Sequence, residues 1–470
     1  MRARRPNPQH RDRHLPCQPH HREPPEPTSL SMHALTHLRA TGTLQCSMMR
    51  RCPPLVRSRS TARSSLPFVS LAAVVLALVA ASQPAAAPQA EVRALWVTRT
   101  SLISPAQIAS MVQSAASSGF NTLLVQVRGR GDAYYASRVE PRAEALAGQP
   151  TTFDPLATTI AAAHEAGLRV HAWVNVDLIS SATELPTSRD HIVYAHPDWL
   201  MVPRSLAFEL ARIDPKSPEY LGRLARWTRT MSDQIEGVYA SPIHPAAVDH
   251  LAAVVDDLVS RYPLDGIHLD YVRFPSADFD YSRASLVAFR QALDLDMTPV
   301  ERARFGYRDA TELVGLTEVF PQRWAEFRRS RLNTLVMRLR TLAKTRRPGL
   351  TLSAAVYPDP TEAAAGRLQD WRMWLDHQLI DVVCPMAYTP DAEVFASQIA
   401  SVRQIASGLP VWAGIGAYRL SSSQTIDNIE TARRLGAVGI VLFSYDSITR
   451  APHGTDYLSS VGRAAFTSGR

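Results

Sequence analysis

The sequence predicts an α/β protein folded as an eight-stranded parallel barrel, a (β/α)8 or TIM barrel with long insertions after strands 3 and 4. Three observations predict it. From residue 91 onward, apolar runs of strand length alternate with amphipathic stretches of helix length. There are eight such runs, and they are nearly continuously apolar, as strands covered on both faces are. Polar residues then recur at the C-terminal end of run after run, the end where a barrel builds its sites. An open, doubly wound sheet is the alternative to this pattern.

The first strand is "VRALWVTR" (92–99), with Trp96 and Thr98 two apart and therefore on one face. Ser104 and Pro105 follow, a cap and a first-turn proline for the helix "SPAQIASMVQSAASSG". The second strand, "NTLLVQVR" (121–128), offers Gln126 and Arg128, with Asp132 and Tyr134 just beyond. "FDPLATTIAAAHEAG" then reads as a helix ending in glycine. The third strand, "LRVHAWVNV" (168–176), places His171, Trp173 and Asn175 on one face, with Asp177 next. After a long connection (177–264), the fourth strand "DGIHLDYVRF" (265–274) pairs His268 with Asp270 and runs on through Tyr271 to Arg273. A second long connection (275–349) precedes "LTLSAAVY" (350–357), which leads into "YPDP" and Asp359. The sixth strand, "IDVVCPMAY" (380–388), ends in Met386 and Tyr388. "PVWAGIGAY" (410–418) and "GAVGIVLFSY" (436–445) complete the set, the last leading to Ser444 and Asp446. Long connections after barrel strands lie on the site-bearing rim and shape a cleft there.

Residues 66–80, "LPFVSLAAVVLALVA", are an uncharged apolar run preceded by arginines and followed by Ala85, Ala86 and Ala87. Residues 48–87 are therefore expected to be a secretory signal peptide, which places the barrel domain (88–470) outside the cytoplasm. An uncleaved N-terminal anchor is the alternative, though the run is short for a membrane span. Residues 1–47, rich in Arg, Pro and His, are expected either not to be made or to be disordered.

Charge follows the same division. The whole chain carries a formal +8, from 51 basic and 43 acidic residues. Residues 1–87 hold 12 of the basic residues and three of the acidic ones, leaving 39 against 40 in the barrel. A near-neutral domain has no phosphate-binding footprint, so nucleic acid is not an expected partner. Cys17, Cys46 and Cys52 precede residue 88, so the barrel keeps Cys384 alone and can form neither an internal disulfide nor a cysteine zinc site. No cofactor is expected.

A neutral cleft lined by aromatic and carboxylate side chains suits a carbohydrate polymer. Trp96 and Trp173 stand where an indole can lie against a sugar ring, whereas Trp371 and Trp374 read equally well as core. Glycoside cleavage needs one carboxyl to protonate the leaving oxygen and another to attack or to activate water. Asp270 is the best-placed carboxylate, and Arg128 or Arg273 can keep it ionised. Asp132, Asp177, Asp359 and Asp446 compete for the second role.

Seven segments occur in order along the chain: "LWVTR", "FNTLLVQVRGRGDAYYAS", "HPDWL", "GVYASPIHP", "DGIHLDYVRFP", "DVVCPMAYT" and "LFSYDS". Together they resemble the glycosyl-hydrolase-like family 10 of bacterial barrel proteins, over roughly residues 91–447. The resemblance implies a barrel fold, export and, for some members, cleavage of glycan strands, including peptidoglycan stripped of its peptides. It implies functional roles for Gln126, Arg128, Asp132, Asn175, His268, Asp270, Tyr271 and Arg273. One departure is Ser241, where many relatives carry an aspartate.

Two other barrel families help by contrast. The chitinase pattern D-G-x-D-x-D-x-E, laid on "DGIHLDYV", finds His268 for one acid and Val272 for the catalytic glutamate. The amylase pattern puts a nucleophilic aspartate at Asp270 and its acid after strand five, where Asp359 stands.

The expected function is thus a secreted glycoside hydrolase acting on a polysaccharide, with Asp270 as nucleophile or base and Asp359 or another rim carboxylate as acid. Trp96, Gln126, Arg128, Asp132, His171, Trp173, Asn175, Asp177, His268, Tyr271, Arg273, Tyr388 and Asp446 would hold the sugar. One alternative is a catalytically silent sugar-binding barrel. Another is a metal-dependent hydrolase that uses His171, His268 and Asp270 as ligands.

Overall fold

The computed structural model describes residues 90–304, 312–450, 453–454 and 456–466, so the expectations for residues 1–87 lie outside it. Among the described residues ten strands are formed: β1 (Val92–Val97), β2 (Thr122–Arg128), β3 (Arg169–Asn175), β4 (Leu178–Ser181), β5 (Gly237–Tyr239), β6 (Gly266–Asp270), β7 (Thr351–Val356), β8 (Val382–Ala387), β9 (Trp412–Ile415) and β10 (Gly439–Leu442). Eight of them close into a parallel barrel in the order β1-β2-β3-β6-β7-β8-β9-β10, with β10 pairing back onto β1. All eight apolar runs are therefore barrel strands, and the ring is closed rather than open.

The two remaining strands, β4 and β5, form an antiparallel pair within the long connection after β3. That connection also carries the helices Pro218–Thr230 and Pro245–Arg261. The connection after β6 is mainly helical and includes the 26-residue helix Pro321–Arg346, which packs against Pro245–Arg261. Helix starts follow their local chemistry. Ser104 accepts from the Gln107 N–H and Asp154 from the Ala157 N–H, each ahead of a first-turn proline. The second of these helices ends at Gly167, whose φ of 75° suits glycine.

Two apolar layers hold the barrel. The outer one packs helices against the outward faces of the strands and takes in Trp324, Trp371 and Trp374. The inner one fills the ring with Ala94, Trp96, Leu124, Trp173, Val382, Cys384, Trp412 and Val441. Burying a large apolar side chain contributes roughly 1.5–3 kcal/mol, so these layers dominate the stabilisation. The inner layer fits because bulky rings face glycines on neighbouring strands. A Cβ on Gly266 would come within 2.3 Å of the His171 ring, and one on Gly439 within 2.4 Å of Trp412.

The fourth barrel strand ends sooner than its apolar run suggests. Tyr271 turns into the left-handed region (φ 49°), and its N–H donates to its neighbour's Asp270 Oδ1 at 2.6 Å. Asp270 thereby becomes the last strand residue, and Arg273 belongs to the loop that folds back over it.

Candidate active site

The C-terminal ends of the strands enclose a hollow of about 220 Å³ at the barrel mouth. Trp96, Trp173, Tyr388 and Phe443 make an aromatic floor, with Met386 and Ala355 beside them. Trp96 and Trp173 are 1% and 2% exposed, so they meet a ligand as a floor rather than as free-standing plates. Phe443 lies 5.8 Å from Trp96 and 5.3 Å from Tyr388, ring centre to ring centre. Gln126, Asn175, Asp270, Tyr271, Arg273, Arg99 and Arg130 supply the polar wall.

Asp270 is the one carboxylate lining this hollow among the described residues. Its side chain is 10% exposed. Oδ2 accepts from Trp173 Nε1 at 3.1 Å, and Arg273 Nη1 lies 3.5 Å from Oδ1. Burial pushes this carboxyl above its ordinary range, and the Arg273 charge and the two N–H donors offset that only in part. The Arg273 charge, expected from the sequence to favour the ionised form, is thus outweighed by burial.

Arg273 joins a second carboxylate that the sequence reading missed. Its Nη2 lies 3.4 Å from Glu236 Oε1, while Glu236 Oε2 accepts from the Tyr239 hydroxyl at 2.7 Å. Burial raises Glu236, yet Arg273 and Tyr239 outweigh it and hold the carboxyl below its ordinary value. Glu236 is about a third exposed, with a side-chain exposure of 34%. It precedes β5, in an insertion whose sequence shows no barrel periodicity, so only the returning chain brings it to the rim. Arg273 is itself buried, with Nε unpartnered and its guanidinium 4.2 Å over the Tyr271 ring.

The other expected residues divide clearly. Gln126 and Asn175 line the hollow; Gln126 Oε1 accepts from Arg99 Nη1 at 2.9 Å, and Asn175 Nδ2 donates to Gly129 O at 2.7 Å. Arg128 does not face the hollow. A register shift between Gln126 and Arg128 breaks the two-residue alternation and re-aims it. Its guanidinium grips Glu140 at 2.7–3.0 Å and donates to Val176 O at 3.2 Å. Burial alone would raise Glu140, but Arg128 and His250 hold it at about 2.

Asp359 is exposed and caps the helix Pro360–Gly366, accepting from the Glu362 N–H at 2.7 Å; it lies outside the mouth. Asp446 ties the β1–β10 seam, accepting from the Thr98 N–H (2.7 Å), Thr100 Oγ1 (2.8 Å) and Ser101 Oγ (2.6 Å). Asp177 is buried beneath the rim with Oδ2 unpartnered, and burial raises its carboxyl strongly. Asp132 lines an adjoining hollow, where Oδ1 accepts from the Arg130 N–H at 3.0 Å.

The proposed histidine ligands are core residues. His268 Nε2 accepts from Trp96 Nε1 at 3.0 Å, which leaves Nδ1 to donate to Ser353 Oγ at 2.9 Å. Burial lowers His268 to about 3 and His171 to about 4, so both rings are neutral. His171 lies against Trp412, with ring centres 5.5 Å apart. His171, His268 and Asp270 form no metal-ligand group, and no cluster of three His, Cys, Asp or Glu able to hold a metal occurs among the described residues. Ser241 is buried 3.3 Å from Ser285 Oγ and does not line the mouth.

A closed parallel ring with an aromatic-floored mouth, one buried carboxyl and a guanidinium over it defines a barrel of the glycosidase type. The chain belongs to the family Glycosyl hydrolase-like 10, which matches residues 91–223 and 221–428. It is 25% identical over 289 residues to "Glycosyl hydrolase DigH" of Escherichia coli K12, covering 58% of this chain and 55% of that protein. It is 25% identical over 290 residues to "Glycosyl hydrolase YngK" of Bacillus subtilis, covering 57% and 46%. The chain thus spans about half the length of the curated relatives it matches. The glycoside hydrolase domain of PgaB (BpsB) from Bordetella bronchiseptica has the same fold, with a TM-score of 0.55 at 15% identity over 79% of this chain and 98% of that one. So does the catalytic domain of a β-amylase from Paenibacillus polymyxa, with a TM-score of 0.54 at 12% identity over 82% of this chain and all of that one.

Proposed function

We propose that this protein is a secreted glycoside hydrolase that cleaves glycosidic bonds in a polysaccharide, with cell-wall glycan as the substrate class. The observation that carries the reading is the placement of Asp270. It ends a barrel strand, faces an aromatic-floored hollow and sits where burial favours its protonated form. A neutral carboxyl at that spot can donate its proton to the leaving oxygen as the glycosidic bond breaks. Glu236, held ionised on the same guanidinium, is the candidate to take a proton from the attacking water. Two carboxyls whose surroundings push them apart in acidity divide the acid and base roles in this way. Trp96, Trp173 and Tyr388 shape the floor for a sugar, and Gln126 and Asn175 offer hydrogen bonds to its hydroxyls. The names of the relatives support glycosidic chemistry. Export rests on the leader at residues 48–87, and the cell-wall substrate rests on the family resemblance.

A second reading, a sugar-binding barrel without turnover, is favoured by one observation: no carboxylate besides Asp270 lines the hollow among the described residues. Hydrolysis of purified peptidoglycan glycan strands by the native chain and by Asp270→Asn separates the two readings. The expected result is turnover by the native chain alone, with binding kept in both. Binding by the native chain without turnover overturns the hydrolase. Loss of turnover on chelation overturns the two-carboxyl mechanism.

A further inference from the structure

The hollow over Asp270 does not end at its aromatic floor. A second hollow of about 210 Å³ adjoins it, and Arg99 and Arg130 line both. The two arginines thus stand where the compartments meet. Among the described residues neither is in an ion pair. Arg99 donates to the neutral amide oxygen of Gln126 at 2.9 Å, and the Arg130 side chain makes no hydrogen bond to a carboxylate. Three acids line the second hollow, Asp132, Glu144 and Glu184, and among the described residues none is ion-paired with either arginine. Asp132 Oδ1 accepts from the Arg130 backbone N–H at 3.0 Å, and Glu144 Oε1 accepts from the Thr187 hydroxyl and the Ser188 N–H at 2.7 and 2.9 Å. Burial and the neighbouring Arg99 disfavour the charge on Arg130, and Asp132 offsets them only in part, so an incoming anion would favour the charged form. Local sequence makes room for the pair. In "RGRGD" (128–132), Gly129 lies against Arg99, and a Cβ there would come within 2.7 Å of Arg99 Cδ.

We propose that the Arg99–Arg130 pair is an anion subsite that seats a carboxylate carried by the sugar next to the one held over Asp270. The inference rests on the glycan-binding reading of the mouth and adds a charge requirement to it. Paired guanidiniums with free donors match the planar, two-oxygen geometry of a carboxylate better than that of a hydroxyl. The carboxylate can belong to the ring, as in a hexuronic residue, or to an ether-linked acid on an amino sugar, as in glycan strands freed of peptide.

The test uses the full chain carrying Asp270→Asn, so that ligand is not consumed, with calorimetry at low ionic strength. Four probes are compared: glycan strands with free ether-linked carboxylates, the same strands after amidation of those carboxylates, an oligogalacturonate and a neutral chitin oligomer. The expected result is that one or both acidic probes bind at least about tenfold tighter than the neutral ones, as for a charge-assisted contact. The preferred acidic probe identifies the source of the carboxylate. The gap should narrow with added salt. Introducing Arg130→Gln should close the gap by weakening the acidic probes by a much larger factor than the neutral ones. Equal binding of the free and amidated strands with no preference for oligogalacturonate overturns the subsite. So does an Arg130→Gln variant that weakens acidic and neutral probes alike, or the absence of binding to any acidic probe. Turnover by the native chain is scored separately. Charge-dependent binding without turnover keeps the subsite and removes the hydrolase; turnover without charge preference does the reverse.

Discussion

Two arginine–carboxylate clusters sit on neighbouring elements of this barrel and differ in nearly every respect. In the closed cluster, Arg128 grips Glu140 at 2.7–3.0 Å, His250 adds a contact at 3.1 Å, and the Glu140 side chain is 0% exposed. In the open cluster, Arg273 reaches Asp270 and Glu236 only at 3.5 and 3.4 Å and leaves its Nε unpartnered. The first holds its carboxyl at about 2; the second leaves Asp270 raised. A buried charge with all its partners is a structural tie, and removing one partner strands the other. A buried carboxyl with only a distant arginine to neutralise it, beside a ligand-sized hollow, is placed to trade its proton. Both clusters set a buried arginine against carboxylates; satisfaction and access set the role.

The sharpest way to break this contrast is Asp270→Asn. It should lower kcat/KM on glycan strands by about 10²–10⁴-fold, the range for a general acid. Its fold should not suffer. The raised carboxyl means that the native state holds its proton more tightly than the unfolded chain does. The stability linked to that proton is present at low pH and is lost as pH rises through the raised value. Asp270→Asn should therefore match or exceed the native chain in urea unfolding at pH 7, with the difference vanishing below the ordinary value of 3.8. A clear loss of stability at pH 7 would move Asp270 into the structural class.

Glu140→Gln should do the opposite. Stranding Arg128 should cost about 3–5 kcal/mol in urea unfolding. The depressed carboxyl contributes stability that is fully present above the ordinary value of 4.5 and is lost as pH falls from there toward about 2. The variant should lack that acid limb. Trp173→Phe is a finer probe of the open cluster, because it removes the N–H that donates to Asp270. Asp270 should rise further, and the alkaline limb of kcat/KM should move to higher pH. Asp359→Ala should have the smallest effect. It should cost about 1 kcal/mol, as loss of a helix cap does, and leave kcat/KM unchanged.

Asp359 and Arg128 show where sequence reasoning overreached. Asp359 followed the right strand, but "DPTE" is also a helix start, and the capping bond to the Glu362 N–H keeps its carboxylate out of the mouth. Arg128 was assigned by alternation, and one register irregularity after Gln126 undid that assignment. Glu236, Arg99 and Arg130 were passed over for a different reason. Glu236 precedes a three-residue strand in an insertion, and the two arginines flank strands as ordinary surface cations do. Nothing local marks them.

The amino-acid sequence alone determined the eight strands, their parallel arrangement and the end of the barrel that bears polar groups. These follow from short-range periodicity and burial, which each segment carries within itself. It also singled out Asp270, because a carboxylate at the end of an apolar strand has few structural uses. Only the tertiary structure decided which charges are tied and which are available. Pairing depends on groups brought together across 12 residues for Arg128 and Glu140 and across 37 for Arg273 and Glu236, and on how much water the closed ring leaves around them. Acidity and access belong to the assembled surroundings of a side chain, and no single segment contains those.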